Sequence, residues 1–367
     1  MAGRRDVVAK GVITGKILQS STNKYKYTKT IDMRFLYKYS SVLSLVFIAV
    51  WRCELQSVRF FIRGPIVAEA ISRKNVPTFD FLAIGERLRA YRLARNLRSD
   101  DIAERLEISR AAVYNLERGE IVKVETLERL AALLEVTLAN LLGVESEYHD
   151  SAVSYFERMR QLESRSTRIL ANFDPISILL TSDAYGQHLR TMLDESVPDE
   201  LRDETSLRIN SDVLKILFAR RKGFEQQRPG ILSLIGLRQV EQFLHHGLVG
   251  RLGLPPGTQL ERKLAARKEV THMIDVLNSD PIGVQVGIVV DHLPSETFQI
   301  FEEPGVQHVA VSPFRLGELP NVRTGIATIS TSPDAVAMYR GLIERLWAGA
   351  AKGRDGARVL QDLLERS

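Results

Sequence analysis

From residue 81 onward, apolar side chains return every three or four positions in short runs, the spacing that gathers them on one face of a helix. Ile84 and Leu88 mark the inner face of a first helix over 82–95. Ile102, Ala103 and Leu106 do the same for a second over 100–106. Ser99 stands where an N-cap is expected, and Asp100 and Asp101 suit the positive end of the helix dipole. A tight connection at Glu107-Ile108 follows. Ser109 is then placed to cap a third helix, which Gly119 ends. A fourth helix over 125–134 buries Leu127, Leu130, Ala131 and Leu134, and Val136, Leu138, Leu141 and Leu142 close the core. The pattern predicts an all-α domain over 79–145.

Residues 146–367 predict an α+β region with a helical first half. Val153, Phe156, Met159 and Leu162 recur at helical spacing, and further helices are expected over 183–193, 211–222, 237–248 and 260–277. From Gly283 the period changes. Val284, Val286, Ile288 and Val290 alternate with smaller or polar residues, the mark of a strand. Three more strands over 298–301, 308–311 and 325–329 complete a small, mostly antiparallel sheet. Ser332-Pro333 opens a helix with Val336, Tyr339, Ile343, Leu346 and Trp347 on its apolar face, and a last helix runs near 357–364. The Gly/Pro-rich stretch 250–257 lacks the Gly-Lys-Ser/Thr of a phosphate loop and reads as a turn between helices.

Residues 1–78 show neither period. Lys and Tyr alternate at Lys24-Tyr25-Lys26-Tyr27, and the one apolar run, 42–51, has about half of the roughly 20 residues that span a bilayer. The segment reads as disordered, or as upstream sequence translated from a start chosen too early. No methionine lies between Met33 and Met159, so a later start requires an alternative initiation codon. From Met33 a basic stretch precedes a short apolar one, as in a signal peptide.

The third helix carries the chemistry. At about 100° per residue, Ala112, Val113 and Leu116 fall on one side, while Arg110, Ala111, Tyr114, Asn115 and Arg118 fill an arc of roughly 140° on the other. One face packs and the other is free to enter a major groove. Arg can bond two acceptors on guanine, Asn can pair with an adenine edge, and a small Ala permits close approach to a thymine methyl. The start of the second helix, at Ser99, faces a phosphate, which fixes register rather than sequence.

Ile84-Gly85-Glu86-Arg87-Leu88-Arg89, Asp101-Ile102-Ala103-Glu104-Arg105-Leu106, Ile108-Ser109-Arg110 and Asn115-Leu116-Glu117-Arg118-Gly119 together resemble the Cro/CI-type, or XRE-family, lambda-repressor-like helix-turn-helix. The resemblance covers about 60 of the 367 residues and extends over all the helices of the domain. It implies double-stranded DNA as the partner, a homodimer reading two half-sites, and base reading by Arg110, Ala111, Tyr114 and Asn115. It implies an internal pairing of Glu117 with Arg92. The sequence departs from the family at Ser99, where Gln is common, and at Glu107, where Gly is common and a negative charge now lies near DNA. A shorter resemblance covers Arg228-Pro229-Gly230-Ile231-Leu232, Glu261-Arg262-Lys263-Leu264-Ala265-Ala266-Arg267 and Val311-Ser312-Pro313-Phe314-Arg315-Leu316. These look like the domain of unassigned role that follows this helix-turn-helix in many actinobacterial regulators, and they imply effector sensing or protein binding without catalysis.

Charge sharpens this picture. The chain carries a net +5, but residues 1–78 hold 14 Lys/Arg against 4 Asp/Glu, whereas residues 79–143 hold 10 against 11. The basic balance therefore belongs to the N-terminal segment and is no footprint of the helix-turn-helix. A single cysteine, Cys53, excludes a disulfide framework and a cysteine zinc site, and fits a reducing cytoplasm. There is no His-Glu-x-x-His, and the seven histidines are scattered: His245-His246 cannot share one helix face, and His292 follows Asp291 at a strand end. No cofactor, metal or membrane partner is expected. Three readings of residues 146–367 remain: a sensor of a small molecule or partner that biases DNA binding, a dimerising region of a phage-type or antitoxin-like repressor, or a fused enzyme. The last needs converging acid, base or metal groups, and none stands at a recognisable spacing.

Overall fold

The computed structural model describes residues 80–120, 123–144, 146–173 and 175–367. The N-terminal segment 1–78, with its apolar run 42–51, lies outside the described residues.

Five short helices open the described chain: α1 (Phe81–Ala94), α2 (Ser99–Leu106), α3 (Arg110–Glu117), α4 (Val124–Leu133) and α5 (Leu138–Leu142). Their apolar faces meet in one cluster, with Leu88, Ile102, Val113, Leu130, Leu134 and Leu141 at its centre. Asp80 caps α1 by accepting from the N–H of Ala83 at 3.0 Å. The expected cap at Ser99 is a correction: Ser99 is the first residue of α2, and the cap position falls to Arg98. The reason is local, because Asp101 Oδ2 accepts the backbone N–H of Arg98 at 2.6 Å and so moves the helix start one residue back.

The α+β region holds one eight-stranded sheet in the order β1-β7-β6-β5-β2-β3-β4-β8. Its strands are β1 (Ser146–His149), β2 (Arg168–Phe173), β3 (Gly230–Gly236), β4 (Val284–Val289), β5 (Thr297–Glu303), β6 (Val306–Ser312), β7 (Ala327–Ser330) and β8 (Ala351–Lys352). The four expected strands are β4 to β7. The other four enlarge the expected sheet and make it mixed: β2-β3 and β3-β4 run parallel, and every other pair is antiparallel. The stretch expected to be mainly helical thus also contains β1, β2 and β3. β3 is central and buried on both faces, so apart from Ser233 its residues form an apolar run with no alternation to betray a strand.

Helices cover both faces. On one side lie α6 (Ala152–Glu163), α7 (Tyr185–Glu195), α8 (Glu204–Gln227), α9 (Leu237–His246), α10 (Pro256–Ser279) and α12 (Gly353–Arg366), whose apolar residues pack with Ile169, Ile231, Ile288 and Phe301 of the sheet. On the other, α11 (Pro333–Gly349) lays Val336 and Ile343 on Leu170, Leu232, Phe298 and Ile300. The stretch 250–257 does connect two helices, α9 and α10. Among the described residues no helix is long and apolar enough to cross a membrane.

The described residues, 80 onward, belong to one compact unit. The sheet's β1 edge is held from the helical side: Asn140 of α5 accepts from the N–H of Tyr148 at 2.9 Å and donates to its carbonyl at 3.2 Å, an amide standing in for a neighbouring strand. Helix α1 packs along α6.

Candidate nucleic-acid interface

Helix α3 is built for two faces. Ser109 Oγ accepts from the N–H of Ala112 at 3.0 Å and fixes its start. Val113 is fully buried, and Leu116 packs at the margin of the core. Glu117 is buried and paired with Arg92, whose Nε and Nη2 reach the carboxylate at 2.5 and 3.1 Å. The pairing implied by the family resemblance is therefore present, and it clamps the end of α3 to α1. Gly85 explains how close that clamp can be: a Cβ there would lie 2.5 Å from the carbonyl oxygen of Leu116. Gly119 leaves the helix at φ +86°, a backbone that favours glycine, beside Leu82.

The opposite face stays open. Ser109, Arg110, Ala111, Tyr114 and Arg118 are exposed, and Asn115 is half-buried. Tyr114 retains 55% of its surface, an unusual exposure for so large a ring on a short, well-capped helix. The Arg118 guanidinium lies 5.5 Å from the centre of that ring, so the two side chains support one another. The structure thus brings six of the seven expected residues together on or at the ends of one helix. The seventh, Ser99, is half-buried at the first position of α2.

Sequence reasoning missed one partner. Arg110 Nε lies 3.3 Å from Asp100 Oδ1, which ties the start of α3 to the start of α2. Both side chains are largely exposed, so the pair contributes at most about 1 kcal/mol and is easily exchanged for a phosphate or a base edge. Its sequence signal is Asp100 itself, a carboxylate in the first turn of α2 that serves Arg110 as well as the helix dipole. The turn between α2 and α3 is also unusual. Glu107 takes a left-handed conformation, φ 56° and ψ 42°, where a glycine would sit without strain.

The domain is braced from behind. Arg95 Nε donates to the carbonyl of Leu134 at 3.0 Å, and Arg129 Nη2 to that of Leu106 at 3.1 Å. Three of the basic residues counted by sequence, Arg87, Arg92 and Arg95, therefore serve internal contacts. Charge available to a phosphate backbone falls on Arg98, Arg105, Arg110, Arg118 and Lys123, all exposed. Among the described residues no cluster of His, Cys, Asp or Glu is arranged to hold a metal ion.

Comparison with known proteins agrees with this geometry over a limited span. A family model described as a helix-turn-helix domain matches residues 83–142. No curated protein matches the chain. Among solved structures, TrmBL2, described as an archaeal chromatin protein with a novel mode of DNA binding, aligns over 72% of this chain and 92% of its own at 12% identity and a TM-score of 0.28. The chain carries a helix-turn-helix domain, with α3 as its exposed second helix.

Proposed function

We propose that this protein is a sequence-specific regulator of the Cro/CI type that places α3 in the major groove of double-stranded DNA, acts as a homodimer, and works by binding rather than catalysis. One observation carries the reading: α3 anchors Val113 and Glu117 inward while Arg110, Ala111, Tyr114 and Arg118 are exposed on the opposite face. Arg110 and Asn115 supply the two side-chain types that read guanine and adenine edges, and Ala111 leaves room for a thymine methyl. Ser99 and Ser109, near the starts of α2 and α3, are offered for phosphate. The α+β region is assigned the sensing role, since α6 packs directly against the first helix of the reading domain.

Selection of bound duplexes from a random library is the test. A two-fold related motif with half-sites about one turn apart is expected. Arg110→Ala and Asn115→Ala should each weaken binding to the selected site by about 1–3 kcal/mol and relax preference at one base position, with melting unchanged. Enrichment of no motif, or normal affinity in both variants, would remove the reading of α3 as the recognition helix.

A further inference from the structure

The C-terminal half of α1 does not close fully on the α+β region. Leu93 packs against the core on the helix-rich face of the sheet. Beside it a cleft of about 580 Å³ opens between α1, α6 and α8. Small-molecule sites span roughly 300–1,000 Å³ and favour such junctions between domains. Asp212, Lys215, Ile216 and Ala219 of α8 all line the cleft, and their spacing places them on a single stripe of that helix.

The lining is part apolar and part cationic. Leu93, Leu97, Val153, Ile216 and Ala219 supply apolar surface. Arg89, Arg92, Arg98, Arg160 and Lys215 stand with them, against two carboxylates, Glu157 and Asp212.

These charges do not cancel. Arg92 is answered by Glu117. Lys215 lies 2.9 Å from Asp212, and Arg98 lies 3.7 Å from Asp101. Arg89 and Arg160, however, share one partner. Glu157 accepts from Arg89 Nε at 3.1 Å and from Arg160 Nε and Nη2 at 2.8 Å each. It is itself buried, and it also accepts from Gln161 at 3.3 Å. Two guanidinium groups on one carboxylate leave a single positive charge over, next to apolar surface. Arg89 keeps 46% of its side-chain surface, so its guanidinium is accessible to a ligand. A guanidinium meets a carboxylate with two parallel hydrogen bonds, and one carboxylate balances the surplus while a second would not be balanced. We propose that this cleft binds a small monocarboxylate with an apolar body, its head on Arg89 and Arg160 and its body against Leu93, Leu97 and Ile216.

The inference deepens the sensing role proposed above and rests on it. Arg92 connects the cleft to α3 through one side chain. Its Nη1 donates to the carbonyl of Leu97 at 2.9 Å, and its Nε and Nη2 hold Glu117 at the end of α3. A ligand that displaces Leu97 or Arg92 therefore displaces the clamp on the exposed helix.

The test uses the full chain with octanoate and 4-phenylbutyrate as probes, and octanamide and 4-phenylbutanamide as their uncharged counterparts. At saturating concentration at least one carboxylate should raise the melting temperature by about 2 °C or more, and its amide should raise it by less than half as much. Arg89→Gln removes the surplus charge and should abolish the shift. Its own melting should stay within about 1 °C of the parent, because the side chain is half exposed and Glu157 keeps Arg160. Ala219→Phe fills the cleft from an exposed position of α8 and is the second variant; it should abolish the shift too. No shift with either carboxylate, an equal shift with the amide, or a shift that survives both substitutions overturns the site. DNA affinity is read in parallel. A melting shift with unchanged DNA affinity keeps the site and removes its regulatory role. DNA affinity that is absent with and without probe removes the DNA-binding reading and leaves the melting result standing.

Discussion

Arg158 is fully buried, and its neighbours account for it completely. Its Nε and Nη2 bond Glu147 at 2.8 and 2.9 Å, and its Nη1 reaches Glu86 at 3.2 Å and Gln161 at 2.6 Å. Arg87 adds a further bond to Glu147 at 3.0 Å. Burial by itself would raise the pKa of Glu147, but Arg158, His149 and Arg87 hold its carboxyl well below the usual carboxylate range. His149, stacked on Tyr91, is moved the other way in charge: burial outweighs the attraction of Glu147 and pushes its imidazole below the usual value. Both folded-state pKa values are depressed, so both groups bind protons more readily in the unfolded chain. The stabilisation from His149 is complete above about pH 6.5 and that from Glu147 above about pH 4.3, and each is lost as the pH falls through the folded value. Denaturant titrations should therefore show stability falling in acid from about pH 6.5 downward. Glu147→Gln leaves two buried guanidinium groups short of a counter-charge and should lower stability at pH 7 by about 3–5 kcal/mol, with a shallower dependence below pH 5. A Glu147→Gln protein as stable as the parent would show that the cluster is not held by charge.

At the scale of elements, the turn between α2 and α3 is the place where a single backbone conformation sets the aim of the exposed helix. Glu107 ends α2 in the left-handed region, and its N–H still bonds the carbonyl of Glu104 at 3.2 Å. A side chain with a Cβ loses about 1–2 kcal/mol there. Glu107→Gly should recover part of this, stabilise the protein by about 1 kcal/mol, and raise the melting temperature by about 2 °C. It also removes a negative charge beside the proposed interface, so DNA affinity should rise, most at low salt. A fall in melting temperature would mean that the side chain of Glu107 makes up for its own strain. This position was legible in the sequence, as a departure from a pattern with glycine, and so was the division of α3 into two faces, because an amphipathic helix prints its period on the chain. The strands were legible only where they alternate. β4 carries Val286 and Ile288 inward at spacing two, whereas Gly230–Gly236 of β3 is apolar on both faces apart from Ser233 and Ser146–His149 of β1 is too short to show a period. The row of buried residues that crosses the sheet at Gln299 could not be read at all. It is assembled from four strands whose members lie up to 139 residues apart, and only their register brings Ala310, Gln299, Ala171 and Ser233 into one row.

In the whole molecule, the helix-turn-helix is mounted on the α+β region by charged and polar contacts that interlock. Arg165 bridges Glu86 of α1 at 2.7 Å and Glu303 of β5 at 2.8 Å, and Arg89 of α1 reaches Glu157 of α6 at 3.1 Å. Gln161 donates to the carbonyl of Glu86 at 3.1 Å, and the Tyr91 hydroxyl to that of Tyr148 at 3.2 Å. Such a junction differs from a flexible linker between domains: α3 is carried by a domain fixed against α6, and its direction follows that helix. In the proposed dimer, the distance between the two α3 helices would then be set by how the α+β regions pair, and a small shift of α6 would be enough to change it. The same interlocking predicts one cooperative unfolding unit. Calorimetry of the full chain should give a single transition for residues 77–367, with calorimetric and van't Hoff enthalpies in a ratio of about 1. Arg158→Ala takes the centre out of the junction, leaving Glu147 and Glu86 without their shared guanidinium, and should separate the transition into two steps, the first of them the loss of the helix-turn-helix. Two transitions in the parent protein would show instead that the helix-turn-helix moves on its own, and a ligand acting through α6 would have nothing rigid to push.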